Sequence, residues 1–207
     1  MSCRLLVATN NKGKVIEYRS LLAGHDLELV TMAQAGITTV TQETGATYEE
    51  NALLKATSTA IASGLVSLGD DSGLEVDALQ GEPGVMSARY AGENASDADR
   101  INLLLERING VPWEHRWASF RCVIALATPQ GDMATCTGEC RGIISLQPKG
   151  TNGHGYDPVF YIPELGKTMA ELTLDQKNLV SHRGRAAAEA LSLLSRPPFS
   201  CLERDRL

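Results

Sequence analysis

The chain alternates short apolar runs with helical patterns, and this alternation limits the folds that it can adopt. Residues 4–9 form an apolar run typical of a buried strand, and residues 13–23 follow with apolar side chains at helical spacing. Residues 27–32 predict a second strand, whereas 117–128 and 132–140 predict a hairpin around Pro-Gln-Gly. Because strands alternate with helices early and form hairpins later, we expect an α/β fold with a mixed β-sheet flanked by helices.

Two helix starts are marked by capping sequences. Thr47-x-x-Glu50 is a capping box, and Gly64 is a natural stop for the helix that it opens. Ser96-x-x-Asp99 opens a second helix in the same way.

Length and hydrophobic content indicate the number of domains. The 207 residues, 43% of them hydrophobic, suffice for one sizeable core, and no linker divides them, so we expect residues 1–207 to form a single two-lobed domain. The last few residues, 201–207, follow a Pro-Pro pair and are expected to be loosely held.

Several partners and locations are disfavoured by the composition. A net charge of −6 without a basic stripe argues against nucleic-acid binding. Apolar runs fall far short of the ~20 residues that span a bilayer, so we expect no membrane association. The first residues lack a signal-peptide pattern, and we therefore expect a cytoplasmic protein.

One polar segment lies between the first strand and the first helix. It reads Thr9, Asn10, Asn11, Lys12, Gly13 and Lys14. Backbone N–H groups at a helix N-terminus, with lysines beside them, suit a phosphate. The spacing is not that of a Walker A loop, and an ordinary polar turn fits equally well.

Carboxylates are concentrated in two further segments. A strand at residues 65–68 runs into Gly69-Asp70-Asp71-Ser72-Gly73, which we expect at the strand's C-terminal end, where open α/β sheets place their sites. A bound cation would relieve the repulsion between the adjacent carboxylates, although a surface turn is the alternative. Glu43 lies in a loop, and Lys55, four residues after Asn51 on the next helix, is expected to face the same region.

The later segments supply a Gly-rich turn and a group of potential cations. Residues 153–158 read Gly-His-Gly-Tyr-Asp-Pro, in which glycines let the backbone approach a flat ligand. Lys177, His182 and Arg183 place three potential cations within seven residues. A plain turn and a solvated helix start are the alternatives, but together the segments suit a nucleoside triphosphate with Mg²⁺.

The ordered motifs make the chain resemble a known family, the inosine triphosphate pyrophosphatases, which remove non-canonical purine nucleotides. The motifs are ATNNKGK, QETG, YEENALLKA, GDDSGLEVDAL, PGVMSARYAG, GYDPVF, KTMAEL and SHRGRA. They extend over nearly the whole chain and follow the family's order.

The resemblance implies an elongated fold with a cleft between two lobes, usually as a homodimer. It implies hydrolysis of ITP, dITP and XTP to the monophosphate and pyrophosphate with Mg²⁺. Asp71 is then expected to be the proton acceptor and, with Glu43, a metal ligand. The expected substrate-binding residues are Thr9, Asn10, Asn11, Lys12, Gly13, Lys14, Ser72, His154, Gly155, Tyr156, Asp157, Lys177, His182 and Arg183.

The chain departs from the family pattern at two positions. Some members have Phe where this chain has His154, and an imidazole offers less area for stacking on a base. Asn10 replaces a glycine of the Thr-Gly-Asn turn.

Other functions stay open at this point. A nucleotide sensor would bind without hydrolysis, but the paired Asp70 and Asp71 disfavour it, because binding alone needs less acidity near phosphates. A phosphotransferase would lack its Walker A loop. A pyrophosphatase for modified pyrimidine nucleotides is disfavoured by the SHRG segment.

Overall fold

The computed structural model describes residues 3–39 and 41–200. Its strands are β1 (Cys3–Val7), β2 (Leu27–Thr31), β3 (Val66–Val76), β4 (Trp117–Ala127), β5 (Met133–Ile144), β6 (Phe160–Ile162) and β7 (Lys167–Thr168). Its α-helices are α1 (Lys12–Leu21), α2 (Tyr48–Ser63), α3 (Asp97–Arg107), α4 (Leu174–Val180) and α5 (His182–Leu194). The expected loose tail, residues 201–207, lies outside the described residues.

The strands form one seven-stranded sheet in the order β2-β1-β3-β4-β5-β6-β7. Strand β1 pairs in parallel with both β2 and β3, whereas β6 pairs antiparallel with β5 and β7. The expected α/β fold with a mixed sheet is therefore confirmed.

The chain divides into two compact units, which are described separately. Unit 1 comprises the described residues of Met1–Asp71, Cys122–Gly138 and Arg183–Leu207. Unit 2 comprises Ser72–Arg121 and Glu139–His182.

Each unit has its own apolar core. In unit 1 the core joins β1, α1 and α5 through buried residues that include Leu5, Tyr18 and Leu194. In unit 2 it joins α3 to the sheet through residues that include Leu104 and Phe160. Among the described residues, no helix is long and apolar enough to cross a membrane.

Helix α2 begins and ends where its sequence signals lie. The Thr47 hydroxyl accepts a hydrogen bond from the Glu50 N–H at 3.1 Å, and Gly64 ends the helix with φ of +69°. The capping box is only half formed, because the Glu50 carboxylate accepts from the Ala46 N–H at 2.6 Å.

Strand β3 corrects an expectation from the sequence. The segment Gly69-Asp70-Asp71-Ser72-Gly73 lies within the strand, which continues to Val76, and not at its end. Successive side chains of a strand point to opposite faces of the sheet. Asp70 and Asp71 therefore enter different surroundings.

Helix α2 packs so closely against β3 that position 69 has no room for a side chain. A Cβ atom built on Gly69 would lie 2.2 Å from the Ala52 carbonyl oxygen and 2.7 Å from the Ala56 nitrogen. Both are backbone atoms, so neither can move without displacing the helix.

We predict that Gly69→Ala lowers the free energy of unfolding by about 3 kcal/mol, because α2 must move away from β3. Gly24→Ala is the matched control: Gly24 has φ of +82° but open space around it, so backbone strain alone should cost about 1 kcal/mol. Urea unfolding of both variants measures the difference, and equal losses would contradict the packing argument.

Candidate functional site

The start of α1 is organised by the side chain of Asn11. Its carbonyl oxygen accepts hydrogen bonds from the N–H groups of Gly13 at 2.8 Å and Lys14 at 3.2 Å. The Thr9 hydroxyl accepts from the Asn11 N–H at 3.1 Å. Two of the amides that we expected to face a phosphate are thus used as a helix cap.

The two lysines of this segment differ in their surroundings. Lys12 is exposed, as is Asn10. The Lys14 ammonium donates to a carboxylate oxygen of Asp70 at 2.6 Å and to the Asp70 backbone carbonyl oxygen at 3.3 Å. The first turn of α1 is in this way tied to the middle of β3.

The Asp70 carboxylate is the centre of a buried ion network. Its second oxygen accepts from the Arg183 guanidinium at 2.7 Å and from the Tyr18 hydroxyl at 2.8 Å. Arg183 also donates to Glu17 at 2.5 Å, and the Arg183 side chain is 1% exposed. We expected Arg183 to bind substrate; Asp70 and Glu17, to which it donates, both belong to unit 1, and the substrate role stays a prediction.

The charges of this network decide the ionisation of Asp70. Burial by itself raises the pKa of the carboxyl, but Arg183 and Lys14 outweigh burial and hold the pKa well below its ordinary value. Burial and the Asp70 charge raise the pKa of Tyr18 well above its ordinary value, which keeps the phenol a hydrogen-bond donor.

Asp71 has a second, separate set of partners. One oxygen accepts from Lys55 at 2.8 Å, and the other accepts from the Asn51 amide at 3.2 Å. Lys55 also lies 2.8 Å from the Glu43 carboxylate. The expected proximity of Asn51 and Lys55 on α2 to Glu43 is therefore found, and Asp71 joins them.

Nearby cations compensate the Asp71 charge less completely than they compensate the Asp70 charge. Burial raises the pKa of the Asp71 carboxyl above its ordinary value, and Lys55 offsets only part of that rise. Burial lowers the pKa of Lys55, but Asp71 and Glu43 outweigh it, and the net shift is upward. Lys55 is thus a fixed cation between two carboxylates, and Asp71 is the carboxylate that is readier to accept a proton.

Unit 2 contains the Gly-rich segment and Lys177. The Lys177 ammonium lies 2.5 Å from the Asp157 carboxylate, and both side chains are buried. The same carboxylate oxygen accepts from the His154 N–H at 2.8 Å, which curls the segment back on itself. Tyr156 is buried and donates its hydroxyl to the Ser87 carbonyl at 3.0 Å.

Three expected residues of unit 2 remain: Ser72, His182 and Gly155. Ser72 follows Asp71 in β3 and is partly buried. His182 precedes Arg183, and its ring stacks on Phe120 with centroids 4.7 Å apart and planes at 16°. Gly155 has φ of +62°, a conformation that favours glycine.

The structure brings the expected residues into separate groups. In unit 1, Lys14 and Arg183 both form ion pairs with Asp70. Glu43 and Asp71 both form ion pairs with Lys55. In unit 2, Lys177 meets the segment that contains His154, Gly155, Tyr156 and Asp157.

The sequence analysis missed the structural partners of these groups. Glu17 and Tyr18 follow Lys14 by three and four residues on α1, a spacing that places them on one face of the helix. That spacing could have indicated a shared polar partner, but only the apolar stripe was considered there.

We predict that the same substitution changes stability by different amounts at the two adjacent aspartates. Asp70→Asn should lower the free energy of unfolding at pH 7 by about 3–5 kcal/mol, because Lys14 loses its carboxylate partner and the buried Arg183 keeps only one of its two, that of Glu17. The depressed pKa means that this stabilisation is fully present at neutral pH and is lost only as pH falls through the folded-state pKa.

Asp71→Asn is the matched variant and should change the free energy of unfolding by no more than about 1 kcal/mol. Lys55 keeps Glu43 as a partner, and the neutral amide removes the burial penalty that raises the Asp71 pKa. Denaturant unfolding of both variants decides the matter. Similar losses in the two would show that the carboxylates do not have separate roles.

Known proteins resemble this chain over most of its length. The Ham1 family model matches residues 5–193. A dITP/XTP pyrophosphatase of Geobacter sulfurreducens is 52% identical over 185 residues, covering 89% of this chain and 93% of that protein. One from Desulforamulus reducens is 48% identical, covering 93% and 96%. The solved structure of a HAM1 protein from Coxiella burnetii has a TM-score of 0.83 at 40% identity, covering 93% and 98%. The chain belongs to the Ham1 family.

Proposed function

We propose that this protein hydrolyses non-canonical purine nucleoside triphosphates, namely ITP, dITP and XTP, to the monophosphate and pyrophosphate. Relatives that are named dITP/XTP pyrophosphatase are similar to it over most of its length. The observation that carries the proposal is the Asp71 carboxylate, which is buried, has a raised pKa and lies beside Lys55 and Glu43. A carboxylate in such surroundings accepts a proton more readily than an ordinary aspartate does.

The triphosphate is assigned to the basic residues of unit 1. Lys14 and Lys55 are fixed by Asp70 and Asp71, so their ammonium groups are positioned before a ligand arrives. Exposed Lys12 adds a third cation in the segment that opens α1. Preorganised charges of this kind stabilise the negative charge that develops on phosphate oxygens.

The carboxylates of unit 1 fit a divalent cation. Glu43 and Asp71 each place an oxygen 2.8 Å from the same ammonium, so both can converge on one positive centre. Among residues 3–39 and 41–200, no group of three or more His, Cys, Asp or Glu side chains converges to hold a metal. Two carboxylates still suit Mg²⁺, which commonly takes one or two protein carboxylates together with substrate phosphates.

Glu43 and Asp71 are therefore proposed to hold Mg²⁺, as the sequence predicted. When bound, the ion supplies positive charge that neutralises phosphate oxygens. Asp71 orients the attacking water and accepts its proton, while Asn51 fixes the second oxygen of that carboxylate. Lys55, held between Asp71 and Glu43, balances the charge of the two carboxylates as the proton moves.

The base is assigned to unit 2. His154, Gly155, Tyr156 and Asp157 form a segment whose backbone is held by Asp157 and Lys177. We propose that this segment, with Lys177 and His182, recognises the purine. The stacking of His182 on Phe120 limits the movement of its imidazole ring, which favours directional hydrogen bonding.

Further parts of the proposal concern location and assembly. A net charge of −6 supports action on free nucleotides rather than on nucleic acid, and a cytoplasmic location fits that substrate. A homodimer is supported by an apolar surface on unit 1, where Leu54, Ile61 and Met133 are exposed. A monomer in light scattering would contradict the dimer.

We predict that incubation of the protein with ITP and Mg²⁺ yields inosine monophosphate and pyrophosphate. Phosphate and pyrophosphate are assayed separately, and ITP, XTP, GTP and ATP are compared. Asp71→Asn should lower kcat by ~10²–10⁴ without loss of fold. Inosine diphosphate as the main product, equal use of ATP and ITP, or a variant that keeps a tenth of wild-type kcat would each count against the proposal.

We predict that activity falls on the acid side and requires a divalent cation. Because the folded-state pKa of Asp71 is raised, its ionised fraction is lost at a higher pH than for an ordinary aspartate. Lys55→Met removes the main group that lowers this pKa, so the acid limb of kcat/KM should move to higher pH. Lys12→Met is the control: it should weaken binding of the triphosphate and leave the acid limb of kcat/KM at the wild-type pH. Full activity in EDTA, or an unmoved limb in Lys55→Met, would contradict these roles.

A further inference from the structure

Helix α3 contains a carboxylate that its own cap does not need. The Ser96 hydroxyl caps the helix and the Asp99 side chain completes the capping box. Asp97 instead accepts a hydrogen bond from the Gly155 N–H at 2.7 Å through one oxygen, and pairs with Arg100 through the other. A residue of the first turn of α3 is thus bound to the middle of the Gly-rich segment, 58 residues later.

Arg100 fixes the carboxylate of Asp97 in place. Its guanidinium also donates to the carbonyl oxygens of Ala95 at 2.6 Å and Ala88 at 3.0 Å. Because a guanidinium presents its donors in a rigid planar fork, three acceptors around it define the position of each. The Asp97 oxygen that faces Gly155 is therefore placed by the backbone before α3.

A second bond reaches the Gly-rich segment from the same part of the chain. Tyr156 donates its hydroxyl to the Ser87 carbonyl at 3.0 Å, and the Ser87 hydroxyl in turn accepts from the Leu74 N–H at 2.8 Å. The motif PGVMSARYAG, to which the sequence assigned no role, thus provides anchors for residues 154–157 through both Ser87 and Ala88.

We propose that Asp97 is a positioning residue for base recognition, holding the Gly155 backbone and so setting the direction of the flanking His154 and Tyr156 rings. This inference rests on the proposed function, in which that segment meets the purine. Hydrogen bonds from a backbone N–H to a carboxylate are charge-assisted and stronger than neutral ones. Burial raises the pKa of Asp97, but the Gly155 amide and Arg100 outweigh burial and lower it, so the carboxylate stays ionised at neutral pH.

The test compares Asp97→Ala and Asp97→Asn with Asp99→Ala. The control removes one carboxylate from the same helical turn, and Asp99 bonds to Ser96 rather than to the Gly-rich segment. Asp97→Ala should raise KM for ITP and the inhibition constant of inosine monophosphate about tenfold. It should change kcat and the inhibition constant of pyrophosphate less than about threefold, because the groups of unit 1 are untouched. For Asp97→Asn, KM for ITP and the inhibition constant of inosine monophosphate should lie between those of Asp97→Ala and the wild type.

Hydrogen exchange gives a readout that does not depend on activity. The Gly155 amide should exchange faster in Asp97→Ala than in the wild type, and at the wild-type rate in Asp99→Ala. Unchanged exchange and KM in Asp97→Ala, or the same rise in KM in Asp99→Ala, would overturn the proposal. A wild type that releases no pyrophosphate from ITP would instead refute the proposed function, and base positioning by Asp97 would fall with it even if the exchange result held.

Discussion

The buried negative charge of Asp70 is the interaction on which the arrangement of unit 1 depends. Its carboxylate is reached by Lys14 and Tyr18 from α1 and by Arg183 from α5, so one group joins two helices to the middle of β3. A carboxylate without exposure is tolerated only when its charge is paired and its oxygens are hydrogen-bonded. The positions of α1, β3 and α5 are therefore linked, because moving any of them leaves a buried charge without compensation.

Strand geometry then gives the next residue a different role. Asp71 points to the opposite face of β3, where α2 supplies Lys55 and Asn51. Arg183 and Lys14 lower the pKa of Asp70, whereas burial outweighs Lys55 and raises the pKa of Asp71. Two carboxylates of the same type thus differ in basicity because of their neighbours, and this difference supports the proposal that Asp71 does the acid–base work.

The sequence predicted those parts of the structure that depend on local signals. The caps at Thr47 and Ser96 lie where they were expected, since a cap involves residues three positions apart. The predicted end of β3 was wrong. Asp and Gly are depleted in strands, which favoured an earlier end, but the ion pairs of Asp70 override that preference. Arg183 was grouped with Lys177 by spacing, but its partner Glu17 is 166 residues away, and no short-range pattern reports such a contact.

The charges of unit 1 also bear on how the proposed substrate binds. Lys14, Lys55 and Arg183 are joined by ion pairs to four carboxylates, those of Glu17, Glu43, Asp70 and Asp71. With exposed Lys12 included, the cations of this region equal the carboxylates in number. These groups therefore present no excess of positive charge to a triphosphate. Tight binding of such an anion therefore requires charge from another source, and a divalent cation held by Glu43 and Asp71 would supply it. If the proposed function holds, the lysines would determine where the phosphates lie, and the cation would account for most of the attraction that brings them there.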